Sequence, residues 1–137
     1  MTNAFQHLNW LGILLAFVAS SIIGTAWFTV LFRKPYLATL GRPQNEPQSK
    51  DPIYFVGPMV CSLLMILTTA LLMGQLGITT RSAAFSFALL AGFGYLVTNT
   101  VNIAINPNIP HPVRYGVISG GYHLVAMVVV CLILVSV

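Results

Sequence analysis

"YGVISGGYHLVAMVVVCLILVSV", Tyr115 to Val137, holds a single histidine and no aspartate, glutamate, lysine or arginine. A hydrocarbon layer about 30 Å thick needs about 20 apolar residues rising 1.5 Å each, and this run meets that length. Lipid offers no water to backbone amides, so a long run without alternation can cross only as a helix. The last span is taken as Arg114 to Val137, and three similar runs precede it, at Leu8 to Phe32, Ile53 to Leu76 and Ser82 to Ile105. The chain reads as an all-α membrane protein, one domain over residues 1–137 folded as a four-transmembrane-helix bundle.

Composition agrees. The 137 residues are 57% hydrophobic and 6% charged, against about 25% charged in a soluble domain. The net charge of +4 does not point to nucleic acid, because four of the six basic residues lie in one connection and Arg33 and Lys34 directly follow an apolar run. That is a topology signal rather than a phosphate-binding face. Cys61 and Cys131 sit apart inside apolar runs, without CxxC spacing, and read as inert thiols.

The connections are sharply punctuated. "RKPYLATLGRPQNEPQSKDP", residues 33–52, holds six of the eight charged residues and four prolines, so it is a solvated loop with a short interfacial turn at Tyr36 to Leu40. "GITTR" is a tight polar turn, and the prolines of "NPNIPHPV" demand extended or kinked chain. Four spans place both termini on one side with the second connection. Arg33, Lys34, Arg42, Lys50 and Arg114 lie on the other side, against Arg81 alone. Five against one predicts that loop 33–52 and the third connection are cytoplasmic and that both termini face out. The basic pair follows the first span instead of preceding it, which predicts a retained helix rather than a cleaved signal peptide. No convincing internal repeat is visible.

Helices associate in lipid through small residues and interhelical hydrogen bonds. Ala16, Ser20 and Gly24 in the first span, Ala84, Ala88 and Gly92 in the third, and Gly116 and Gly120 in the fourth are therefore the expected seams. Polar groups collect in the cytoplasmic half. His123 lies about 13 Å from that end, and Tyr95, Asn99 and Asn102, spaced four then three on one helix face, lie about 15, 9 and 5 Å from it. With Thr25, Trp27, Ser119 and Tyr122 they form the candidate polar cluster. An ionisable residue so deep is by default a functional hypothesis. His123 has three readings: a structural hydrogen bond to Asn99 or Tyr95, a substrate or proton relay, or metal or haem ligation. The last needs a second copy, since His111 is in a loop and His7 lies at the opposite face.

Other chemistry finds little footing. Glu46 and Asp51, the only carboxylates, both lie in the first loop, so the spans hold no acid pair for hydrolysis and no carboxylate for proton coupling. No phosphate loop, dinucleotide fingerprint or nucleophile elbow is present, and Gly92-Phe93-Gly94 is a packing motif. Trp10 and Tyr54 read as interfacial anchors.

"NWLGILLA" at Asn9 to Ala16, Gly24-Thr25-Ala26-Trp27-Phe28, "TNTVN" at Thr98 to Asn102 and "GYHL" at Gly121 to Leu124 resemble the bacterial membrane family called domain of unknown function 1761. The resemblance covers nearly the whole chain, with Trp27 and Gly121-Tyr122-His123 as its most specific points. Family members often carry Trp-Tyr where this chain has Trp27-Phe28, and an acidic residue near Asn106. The resemblance implies a four-helix protein of the bacterial plasma membrane and brings no activity or cofactor with it.

The leading functional expectation is a non-enzymatic membrane protein acting through helix faces, as a homo-oligomer or an accessory subunit of another membrane protein. Its partners are the lipid bilayer and protein, not nucleic acid. One alternative is an oligomeric small-solute transporter or channel with a polar path at Asn99, Asn102 and His123. It would differ from small multidrug-type transporters, whose first-helix acid this chain lacks. A second alternative is a haem- or quinone-binding subunit resting on His123.

Overall fold

The computed structural model describes residues 8–137; His7 lies outside them. Five helices account for the fold: α1 (Trp10–Leu31), α2 (Arg33–Thr39), α3 (Ile53–Gln75), α4 (Arg81–Ala104) and α5 (Pro112–Ser136). All but α2 are long and apolar enough to cross a membrane, and the described residues contain no strand. The molecule is an all-α bundle with four candidate membrane spans.

Local chemistry sets the helix ends. Asn9 caps α1 by accepting the Gly12 amide at 3.1 Å, and Thr80 caps α4 by accepting the Ala83 amide at 3.2 Å, so α4 starts at Arg81 rather than Ser82. Proline suits a first helical position, which lets α5 begin at Pro112 instead of Arg114. Helix α3 stops at Gly77, whose φ of 63° permits paired bonds from Ile78 to the Met73 carbonyl and from Gly77 to the Gly74 carbonyl. Gly41, at φ 67°, ends α2 in the same way, with Arg42 bonded to Leu37 and Gly41 to Ala38. The expected turn at Tyr36 to Leu40 is thus a helix beginning at Arg33.

Helix α5 is the axis of the bundle. It packs broadly against α1 and α4 and narrowly against α3, which leans mainly on α1. At the end where α1 begins and α5 finishes, Ile13, Ala16, Ile66 and Val130 join α1, α3 and α5, while Met73, Ala84, Ala88 and Cys131 join α3, α4 and α5. Ala16, Ala84, Ala88 and Cys131 have no exposed surface, which is the close backbone approach that replaces hydrophobic attraction in lipid. Arg81 adds a bond from Nε to the Ser136 hydroxyl at 3.2 Å.

The other end gathers the basic connections. There the His111 amide donates to the Thr39 carbonyl at 3.3 Å, and the Tyr36 and Tyr115 rings lie 5.8 Å apart, so α2 docks on the third connection. Burial first, and then the neighbouring Tyr115 phenol, push the Tyr36 hydroxyl up to about 12. The first half of α3 stands away from this end: from Ile53 to Cys61 every residue except Gly57 is exposed.

Candidate functional site

In this basic half the spanning helices lose regular winding. Trp27–Leu31, Gly92–Val97 and Gly116–Gly120 are π-wound, and α3 carries Pro58 in its second turn. A π turn spends an extra residue and shifts whatever follows it around the helix by about 100°. Helix α4 shows the consequence. Its buried side runs Ala84, Ala88, Gly92 at spacing four, and then the contacts with α5 resume at Val97 and Val101, a step of five.

Glycines make the approach possible. A Cβ added to Gly120 would lie 3.1 Å from Val97 Cγ1, and one on Gly116 only 2.8 Å from Val101 Cγ2. Across the other side of α5, Gly24 makes room for the Tyr122 phenol, with its hydroxyl 3.0 Å from where a Cβ would stand. Trp27 crosses the same seam: its indole Nε1 donates to the Ile118 carbonyl at 3.0 Å, inside the π-wound stretch of α5. Phe28 meets Tyr122 edge-on at 5.2 Å, and the Trp27 ring lies 6.4 Å from that of Tyr122. These contacts lock α1 to α5 through aromatic rings.

Beyond Tyr122, His123 turns into a cavity of about 30 Å³ between α1, α3 and α5, with Leu96 of α4 at its edge. That is room for about one or two waters. Its polar lining is Ser20, Ser62, Thr69, Tyr122 and His123. Ser20 and Ser62 pair through their hydroxyls at 3.2 Å, and Thr69 reaches the Met127 sulfur at 3.8 Å. None of the hydrogen bonds in this layer includes His123, whose nearest ring is Tyr122 at 5.1 Å. Among the described residues, neither imidazole nitrogen is hydrogen-bonded.

The sequence candidates separate into two groups. Trp27 and His123 each lie beside the Tyr122 ring, and Ser119 is buried on the same helix with its Oγ without a hydrogen-bond partner among the described residues. Tyr95, Asn99 and Asn102 share one face, as their spacing requires, but that face points out of the bundle; Tyr95 is 76% exposed and both asparagines are exposed. The anticipated bond from His123 to Asn99 or Tyr95 is not made. Packing through Val97 and Val101, set by the π-wound step, turns the polar face away. Thr25 is also exposed, at the outside of α1. Of the expected seams, Ala16, Ser20, Ala84, Ala88, Gly92, Gly116 and Gly120 are buried, and Gly24 is half-buried against Tyr122.

Ser62 and Thr69 of α3 are pocket residues that sequence reading passed over. Their spacing of seven, which puts two hydroxyls on one helix face two turns apart, was the available signal. No group of three potential metal ligands occurs among the described residues, and His111 is exposed in the third connection.

No curated protein and no solved structure matches the chain. A family model described as Protein of unknown function (DUF1761) matches residues 11–135. That match runs from the first turn of α1 to the last turn of α5 and takes in both groups of polar residues, so the chain belongs to this family.

Proposed function

We propose that this is a non-enzymatic protein of the bacterial plasma membrane that works by helix-face association, as a homo-oligomer or as a small subunit of a larger membrane complex. One observation carries the reading: Tyr95, Asn99 and Asn102 form a polar face on the outside of α4, exposed among the described residues. Asn102 is two residues from the end of α4 and can reach the headgroups. Asn99 and Tyr95 lie about 8 and 13 Å from that end, where hydrocarbon satisfies neither a carboxamide nor a phenol. A second protein surface would satisfy them, since polar side chains hydrogen-bond across helices in lipid for about 0.6 to 2 kcal/mol each.

The same geometry weighs against one solute path shared by Asn99, Asn102 and His123. The asparagines face outward from α4, whereas His123 faces the cavity between α1 and α3. The association reading is tested by native mass spectrometry of gently extracted protein. Wild type should carry partner mass that Asn99→Leu loses, and an unchanged monomer in both would remove the reading.

The five-to-one basic asymmetry supports an orientation with loop 33–52 in the cytoplasm and both termini outside. A cysteine placed at Gln48 should resist impermeant thiol reagents applied to intact cells; labelling there would reverse the orientation.

A further inference from the structure

We propose that the outer face of α4 pairs with the same face of a second copy in a parallel, two-fold homodimer. The proposal rests on the helix-face reading and names both the surface and its partner. Gly94, Tyr95, Thr98, Asn99 and Asn102 are all exposed and lie within one side of α4, in the half nearest the basic connections. That group is polar or small, and exposed Phe93 and Ile103 flank it. The outward residues of the other helices read differently: Leu14, Leu15, Val18 and Ile22 on α1, and Leu63 and Leu64 on α3, suit lipid tails.

Symmetry selects the partner. Two copies inserted in the same direction are related by an axis along the membrane normal, so each residue on the axis meets its own counterpart at the same depth. Such a face joins itself only if its groups can both give and take hydrogen bonds. A carboxamide has two donors and an acceptor, and a phenol can act as either, so Asn99 can pair with Asn99 and Tyr95 with a neighbouring phenol or amide. A row of lysines or carboxylates would repel its copy, and this face carries no charged side chain.

Shape agrees with that chemistry. Gly94 faces open space, with no atom of the described residues within 4 Å of the position a Cβ would take. Thr98, one turn on, has already turned its hydroxyl inward to the Phe93 carbonyl at 3.0 Å. A glycine and a threonine at spacing four let two helix backbones approach closely, which brings the flanking carboxamides within bonding reach. The face exists because of the π-wound stretch Gly92–Val97: the same residues that press Val97 against Gly120 turn Gly94 and Asn99 outward.

The test is disulfide trapping of the full chain in native membranes, in a Cys61→Ala, Cys131→Ala background checked for wild-type helicity and melting. Single cysteines at Gly94, Thr98 and Asn102 are oxidised and compared with controls at Val18 and Leu64. A symmetric disulfide forms only where Cα atoms come within about 7 Å. The expected result is dimer from Gly94→Cys and Thr98→Cys at several times the control yield, falling about tenfold when Asn99→Leu is added.

Monomer at all three positions overturns the homodimer. If wild type nonetheless carries a foreign subunit that Asn99→Leu releases, association survives and only the choice of partner fails. If Asn99→Leu changes nothing in mass or cross-linking, both readings fall together.

Discussion

The two halves of α3 belong to different environments. From Ile53 to Cys61 it stands free of the bundle, whereas from Ile66 to Met73 it is packed into both apolar clusters. The whole bundle divides the same way. The terminal half is regular helix closed around alanines, and the basic half is π-wound, joined by glycine and aromatic contacts, and open beside His123. Apolar cohesion is thus concentrated at the terminal end, and the polar cavity beside His123 opens where the two halves meet, with Ile66 and Val130 shared between them.

Two methionines on one helix give the largest expected contrast. Met73 is 4% exposed and Met59 47% exposed. Met73→Ala should cost about 2 kcal/mol, the low end for a core truncation, because the unfolded chain still keeps its side chains in hydrocarbon. Met59→Ala should change stability by less than about 0.5 kcal/mol. Denaturant titration of helical circular dichroism in micelles reads both, and equal losses would erase the division between the halves.

A smaller effect separates two residues within the basic half. Trp27→Phe keeps the ring and removes the donor to the Ile118 carbonyl, at a cost of about 1 kcal/mol, with faster amide exchange over residues 116–120 as its local mark. His123→Ala breaks no hydrogen bond among the described residues and should cost less than Trp27→Phe. The reverse order would reveal His123 as the stronger tie.

The weakest effect is a dependence on pH at the basic end. Burial, and then the Tyr115 phenol, push the Tyr36 hydroxyl up to about 12 against 10.0 for a free phenol, so between those values the undocked state loses a proton that the docked state keeps. Docking of α2 should be insensitive below pH 10 and weaken as pH rises through that window. Proteolysis of loop 33–52 against pH would follow it, and Tyr36→Phe should remove the dependence on this group.

Sequence period and sequence direction carried different information about α4. The spacing of Tyr95, Asn99 and Asn102 puts them on one face, and the structure keeps them there. Which way that face points is not in the spacing, because lipid side and bundle side obey the same period. Aliphatic residues hide the answer further, since leucine suits either surface. The His123 pocket was half legible. His123 and Tyr122 stand out from their apolar run, but Ser20 drew attention only as a small packing residue and Ser62 and Thr69 none, because isolated hydroxyls are common in membrane helices and often bond their own backbone, as Thr68 does to the Leu64 carbonyl at 2.9 Å.

What the amino-acid sequence determined by itself was the number of spanning helices, their approximate ends and the helix-only class, because backbone amides in hydrocarbon have one way to be satisfied. Tertiary structure alone decided the central place of α5, the stand-off of α3, and the separation of His123 from the asparagines. Those depend on which glycine meets which valine and on one extra residue in a π turn, contacts between segments far apart in the chain that no local pattern encodes.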